Sequence, residues 1–229
     1  MTEISRLTPQ IYLIRHGETE WSLTGQHTGR TDLPLTPHGE DEVREWGQRT
    51  CELAGLAKDA EVEPDLAECD YGDYDGMRSV DIHKERPDWN VFRDGSSNSE
   101  SAADISARAD CLIARLRTMT GQVALFSHGQ FGAVLAARWI QLSIIKAEHF
   151  KLRTASLSIL SCDPHHPEVS VIEWWNASPD EASRPDLDSN AGPPQPPKAT
   201  RHSRMGKRRR RDSCGVIRRH IKRDHKNEN

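Results

Sequence analysis

The sequence predicts an α/β fold, in which buried strands are flanked by amphipathic helices. Two short aliphatic runs, at 11–14 and 123–126, have the length and composition of buried strands. Between them, residues 101–119 carry apolar side chains at helical spacing, and a second apolar helix follows residue 128. Strands and helices that alternate in this way indicate a sheet covered by helices.

Local signals predict the remaining elements. Thr36 is a good N-cap and Pro37 suits the first helical position, so a helix is expected from Pro37 to about Ala54. Residues 77–100 are polar and irregular, which is typical of a substrate-covering insertion. Three further strands are predicted at 61–64, 155–160 and 169–174.

Charge divides the chain into two parts. The net charge is −4, but residues 198–229 hold 13 Lys and Arg against three Asp and Glu. Residues 177–197 are rich in Pro, Ser and Asp and cannot bury enough apolar area to order themselves. We therefore expect a globular domain at 1–176 and a disordered, Pro-rich and then basic tail at 177–229.

Five scattered cysteines without a C-x-x-C pair argue against a disulfide framework and favour a reducing compartment. The N-terminus has no signal-peptide pattern, and no apolar run approaches the ~20 residues that span a bilayer. A cytoplasmic protein without a membrane partner is expected. The basic tail has three interpretations: a solvated disordered segment, a nuclear-localisation or nucleic-acid patch at 206–211, or a frame or splice difference.

Two His-Gly turns follow the two predicted buried strands. Arg15-His16-Gly17 comes directly after the first, and Ser127-His128-Gly129 after the second. The carboxyl edge of strands in open α/β sheets is where ligands bind. A guanidinium beside an imidazole suits an anionic phosphoryl group, because arginine presents a planar fork of donors and a neutral histidine can attack phosphorus.

Five motifs extend this pattern: RHGETEW (15–21), TGRTDLPLTPHG (28–39), AECDYGDYDG (67–76), WNVFRDG (89–95) and FSHGQF (126–131). With them the chain resembles the histidine phosphatase superfamily, which contains phosphoglycerate mutases, over roughly residues 8–176. The residues of these motifs most resemble those of the phosphatase branch, including fungal sedoheptulose-bisphosphatase-like enzymes. The resemblance implies a three-layer α/β/α fold with a mostly parallel sheet.

The resemblance also implies the site. His16 would be the nucleophile, Arg15 and His128 would bind the phosphoryl oxygens, and Glu68 would be the acid and base. No metal and no cofactor are expected. The expected substrate contacts are Ser22, Thr28, Gly29, Tyr71 and Gly129.

The chain departs from the family between the helix that begins at Pro37 and the strand near Val62, where EDEVREWG (40–47) leads directly into QRTCELAGL and the family carries another strand and a phosphate-binding arginine. Trp46 falls at the position of that arginine, and Arg49 is out of register. We expect the sheet to lack one family strand, through a deletion, a splice difference or a gene-model error.

The expected function is a phosphomonoester hydrolase that acts through a phosphohistidine on a small phosphorylated metabolite, such as a sugar phosphate. Two alternatives remain: mutase-type phosphoryl transfer, and a degenerate relative that binds phosphate but turns over little. Nucleic acid is not expected as a partner except through the basic tail.

Overall fold

The computed structural model describes residues 8–42, 60–178, 181 and 215–218. Within them the strands are β1 (Pro9–Arg15), β2 (Ala60–Glu63), β3 (Gly121–Ser127), β4 (Leu157–Cys162), β5 (Ser170–Ala177) and β6 (Gly215–Arg218). The helices are α1 (Glu20–Thr24), α2 (helical residues 37–42), α3 (Ser79–Glu85), α4 (Ala102–Leu116) and α5 (Gly129–Trp139). Short 3-10 helices cover Pro64–Leu66, Gly72–Tyr74 and Ile144–His149.

The described strands form one mixed sheet in the order β2-β6-β3-β1-β4-β5. This confirms the α/β class. Strands β1 and β3 pair in parallel, whereas the other four neighbouring pairs are antiparallel. Four of the six described strands, β1, β2, β3 and β5, run in one direction and β4 and β6 run in the other, so the sheet is mixed.

Strand β1 is buried on both faces of the sheet. Ile11 and Leu13 join the large core cluster with residues of α4 and α5, while Tyr12 and Ile14 pack in a second cluster with β4. Side chains alternate between the faces of a strand, so both faces of the sheet are covered here. Helices α4 and α5 cover the Ile11 and Leu13 face, and the second helical layer of the three-layer expectation stays a prediction.

The five strands and two central helices predicted from apolar periodicity are confirmed within a few residues. Helix α2 begins at 37 as predicted, and its predicted extension to Ala54 falls outside the described residues. Helices α1 and α3 were not predicted. They span five and seven residues, too short for periodicity to reveal.

Strand β6 belongs to the basic tail and lies between β2 and β3. The backbone of these four residues pairs with both neighbouring strands, and the predicted disorder of the tail stays a prediction. Most of the tail lies outside the described residues, so the division at residue 176 stays a prediction. None of the helices in the described part of the chain has the length and apolar composition needed to cross a bilayer.

A substitution of Leu125, in the middle of β3, tests how much the packing of the sheet contributes to the free energy of unfolding. Leu125 is 0% exposed, whereas Leu23 on α1 is 62% exposed, so the two leucines form a matched pair. Leu125→Ala is expected to lower the free energy of unfolding by about 2–5 kcal/mol, because it leaves a cavity in a close-packed core. Leu23→Ala is expected to change it by less than about 0.5 kcal/mol. Equal effects in denaturant titrations would contradict this packing.

Candidate active site

The register of β1 and β3 places the two predicted histidines side by side. Arg15 pairs with Ser127, so His16 and His128 each lie one residue beyond the paired strand ends. The backbone N–H of His16 donates to the carbonyl of Ser127 at 3.1 Å. The two imidazole centroids are 5.2 Å apart, with a tilt of 58° between the rings. The predicted meeting of two His-Gly turns at one sheet edge is confirmed.

The ring of His16 is held in one tautomer. Its Nδ1 lies 2.7 Å from the carbonyl oxygen of Gly17, which can only accept, so Nδ1 carries the proton. The lone pair is then on Nε2, the nitrogen available for attack. Burial, and next the neighbouring Arg15 and His128, lower the pKa of His16 to about 4. The imidazole is therefore neutral at neutral pH, as a nucleophile must be.

The guanidinium of Arg15 is fixed in the cleft beside these rings. Its Nη1 donates to the carbonyl of Leu152 at 2.6 Å. Its Nε is buried and has no hydrogen-bond partner among the described residues. A Cβ at Gly129 would come 3.0 Å from Cζ of Arg15, so glycine permits this close approach. A buried donor without a partner suits an anionic oxygen of a ligand.

The carboxylate of Glu68 lies at the N-terminus of α5, next to His128. Its Oε2 accepts from the backbone N–H of Gln130 at 3.0 Å, and its Oε1 from that of Phe131 at 2.7 Å. The N–H of Cys69 adds a third bond at 2.9 Å. Free N–H groups at a helix start attract anionic groups, so this end of α5 holds the carboxylate in place.

Arg108 on α4 holds the loop that carries Glu68, a role that no pattern in the sequence indicates. Its Nη1 donates to the carbonyls of Asp65 and Ala67 at 2.9 and 2.8 Å. The rest of its fork donates to both carboxylate oxygens of Glu100, at 3.0 and 2.9 Å. The guanidinium also lies 4.2 Å from the ring centroid of Phe131. One side chain thereby joins this loop to α4 and α5.

A cleft of about 480 Å³ opens over this site. Of the predicted residues it is lined by Arg15, His16, Ser22, Thr28, Glu68, Tyr71 and Gly129. The hydroxyl of Ser22 closes the capping box of α1, accepting from Thr19 N and donating to Thr19 O. Its hydrogen is therefore not available to a phosphoryl oxygen. Tyr71 is 4% exposed, and burial raises the pKa of its phenol well above the ordinary value.

Gly29 lies apart from the other predicted substrate contacts. It does not line the cleft, and its backbone N–H donates to Oδ1 of Asp75 at 2.6 Å. Oδ2 of the same carboxylate accepts from the hydroxyl of Thr31 at 2.5 Å. Asp75 thus takes the backbone donor of Gly29 in this structure, and the contact between Gly29 and substrate stays a prediction. Gly29 instead fixes the loop that follows Thr28.

The cleft also contains residues that sequence reasoning did not assign. Besides the predicted set, its lining includes His27, Ser79, His83, Trp89, Asn90, Glu148, Phe150 and Lys151. They come from distant parts of the chain and meet only in the fold. Among the described residues, no group of three or more His, Cys, Asp and Glu side chains is arranged to hold a metal ion. Trp46 and Arg49 lie outside the described residues, so the predicted loss of the family arginine stays a prediction.

Two histidines at adjacent strand ends, a guanidinium with an unpaired donor and a nearby carboxylate are the parts of a phosphoryl-transfer site. The family model of the histidine phosphatase superfamily (branch 1) matches residues 11–57 and 47–176. The chain belongs to this family. The two matched segments meet in residues 47–57, next to the stretch where a strand is expected to be missing.

The chain is similar to an acid phosphatase of Mycobacterium tuberculosis, with 36% identity over 186 residues that cover 71% of this chain and 91% of the relative. It is also similar to the sedoheptulose 1,7-bisphosphatase of Saccharomyces cerevisiae, with 32% identity over 61% of this chain and 70% of the relative. The 186 aligned residues exceed the 71% of this chain that they cover, so within the aligned region the acid phosphatase has residues that this chain lacks.

Solved structures agree with the fold. The crystallised product of an open reading frame of Mycobacterium tuberculosis matches with a TM-score of 0.67 and 31% identity, covering 74% of this chain and 98% of its own. A mycobacterial glucosyl-3-phosphoglycerate phosphatase matches with a TM-score of 0.59 and 19% identity, over 75% of this chain and 100% of its own. The second likeness concerns the fold alone.

The low pKa of His16 can be measured directly. In an NMR titration of labelled histidines, assigned with His16→Gln, we expect its midpoint near pH 4. The unfolded chain takes up this proton near pH 6.5. The His16 contribution therefore lowers folded-state stability as the pH falls from 6.5 to 4, and is constant above that range. A midpoint at 6 or above would contradict the buried, cation-flanked environment.

The role of Arg108 is tested by Arg108→Lys, which keeps the charge and removes the planar fork. We expect kcat for p-nitrophenyl phosphate to fall roughly 10–100-fold, since small displacements of catalytic groups have effects of that size. Arg115→Lys is the matched control on α4, because Arg115 is 46% exposed and, among the described residues, bonds the side chains of Glu63 and Asp65 and not the backbone carbonyls ahead of Glu68. Thermal melts of both variants separate misplacement from unfolding. Similar kcat values for the two would contradict the role of Arg108.

Proposed function

We propose that this chain hydrolyses monoesters of small phosphorylated metabolites through a covalent phosphohistidine on His16. The observation that carries the proposal is the free Nε2 of a neutral, tautomer-fixed His16 beside His128 and the unpaired Nε of Arg15. The phosphatase names of the two relatives support hydrolysis as the outcome.

In the first step, Nε2 of His16 bonds to phosphorus as the bond to the leaving alkoxide oxygen breaks. Arg15 and His128 bind the phosphoryl oxygens and stabilise the charge spread over them in the transition state. Glu68, in its acid form, gives its proton to the leaving oxygen, so an alcohol departs. The phosphoryl group is then held on the imidazole.

In the second step, water attacks phosphorus and the bond to Nε2 breaks. The Glu68 carboxylate accepts a proton from the water as it attacks, which restores the acid form. Phosphate leaves and His16 is again neutral. In this proposal Thr28 and Tyr71, which line the cleft, contact the leaving group. Gly129 has no side chain, which allows the guanidinium of Arg15 to lie against its backbone.

The substrate class is proposed from the relatives and the cleft together. The yeast relative acts, by its name, on a sugar bisphosphate, and a sugar phosphate is a suitable substrate for a cleft of about 480 Å³. Mutase-type transfer uses the same pocket and returns the phosphoryl group to a second hydroxyl. The degenerate alternative depends on residues 43–59, which the structure does not describe.

A location is proposed from the sequence alone. The scattered, unpaired cysteines favour the reducing cytoplasm, and the GKRRRR segment at 206–211 is a candidate for nuclear import or nucleic-acid contact. The small phosphorylated substrate remains the principal partner in this proposal.

The decisive variant is His16→Ala. We expect it to lower kcat/KM for p-nitrophenyl phosphate by at least about 10³-fold, since removal of a nucleophile has effects of this size. His38→Ala is the control, because His38 is 70% exposed on α2. In wild-type protein, brief incubation with a labelled phosphomonoester followed by rapid quenching is expected to leave acid-labile, alkali-stable label on His16. Equal phosphate release from His16→Ala would end the proposal, and label that passes to a second hydroxyl would favour the mutase alternative.

A further inference from the structure

His27 is a buried polar side chain in the cleft to which the reaction scheme gives no role. It is 8% exposed and directly precedes Thr28. Its backbone N–H donates to the carbonyl of Met77, and its carbonyl accepts from Gly76, both at 2.8 Å. This segment is therefore pinned to the chain that leads into α3, and the position of the imidazole is fixed by the fold.

The ring of His27 is held on two sides by aromatic residues. Its centroid lies 4.6 Å from that of Tyr71, with 32° between the planes. The ring of Trp89 meets it edge-on at 5.5 Å. Its Nε2 lies 3.0 Å from the hydroxyl of Ser79. Its Nδ1 has no hydrogen bond to any described residue and is not fully enclosed, so this nitrogen is available to a ligand in the cleft.

The free nitrogen is suited to a neutral partner. Burial lowers the pKa of His27, so the imidazole is uncharged at neutral pH. A neutral imidazole has one donor and one acceptor, and Ser79 can use either at Nε2. If Nε2 donates to Ser79, Nδ1 is an acceptor, and if Nε2 accepts from Ser79, Nδ1 is a donor. A substrate hydroxyl satisfies both cases because it can donate and accept, whereas an anionic oxygen can only accept.

The charges around His27 lead to the same choice. The carboxylates that act on its ring are Glu68 and Asp75, and both favour positive charge there. A second phosphate beside His27 would meet the repulsion of these two carboxylates. In the described lining of the cleft, the permanent cations are Arg15, which the reacting phosphoryl group occupies, and Lys151. The His27 side of the cleft therefore favours an uncharged polar group.

We propose that His27 is a specificity-determining residue, which hydrogen-bonds a hydroxyl on the leaving group and selects monophosphates of polyhydroxy compounds over those of apolar alcohols. The inference rests on the proposed phosphatase function. His27 acts on the choice of substrate and takes no part in the bond changes at phosphorus. A substrate without the hydroxyl would leave Nδ1 buried against an apolar group, which disfavours its binding in the transition state.

The test compares sn-glycerol 3-phosphate with n-propyl phosphate, which share a three-carbon skeleton and differ in two hydroxyls. The measured quantity is the ratio of their kcat/KM values, in which losses of active protein cancel. For wild-type protein we expect a ratio of about 10 or more, as one lost buried hydrogen bond predicts. His27→Phe is expected to bring the ratio close to 1, while His27→Asn, whose amide lies near the place of Nδ1, retains part of it.

His38→Phe is the control, because it is the same substitution at a histidine that is 70% exposed and lies outside the cleft lining. Its ratio is expected to equal the wild-type ratio. A wild-type ratio near 1, or an unchanged ratio in His27→Phe, would overturn the inference. Hydrolysis of p-nitrophenyl phosphate by wild-type protein but not by His16→Ala shows, in the same series, whether the phosphatase function itself holds. A failure of selectivity is thereby distinguished from a failure of catalysis.

Discussion

The parallel pairing of β1 and β3 is the constraint on which the site depends. Its register ends both strands at the same level, so His16 and His128 must emerge together at one edge of the sheet. If the register of β1 slipped by one residue, its side chains would exchange faces, and Ile11 and Leu13 would leave the large core cluster. The core that makes this slip costly is the same core that sets the 5.2 Å separation of the imidazoles.

Helix α5 adds the second half of the arrangement. It begins directly after His128, and its first N–H groups hold the carboxylate of Glu68. The proposed acid and the proposed phosphoryl-binding histidine are thus placed by one rigid element. Arg108 supports the same unit from α4, since it grips the backbone ahead of Glu68. A site built on strand ends and a helix start is fixed before any ligand binds.

The sequence predicted those features whose signals are local. Aliphatic runs located the strands, and the His-Gly turns located His16 and His128, because chain order and strand ends are sufficient for that inference. The bonds of Arg108 and the free nitrogen of His27 depend on packing between distant segments, which no local pattern records. Gly29 shows the same limit, since it was expected to contact substrate and its backbone N–H bonds Asp75 in the fold. Strand β6 was hidden because a short run in a basic tail gives little apolar signal.

The most direct test of the account is a crystal structure of the full chain with orthovanadate, which adopts the five-coordinate geometry of phosphoryl transfer. The account predicts vanadium bonded to Nε2 of His16, equatorial oxygens within hydrogen-bond distance of Arg15 and His128, and the apical oxygen opposite His16 facing Glu68. Vanadate bound elsewhere in the cleft, or with Glu68 on the same side of vanadium as His16, would contradict it.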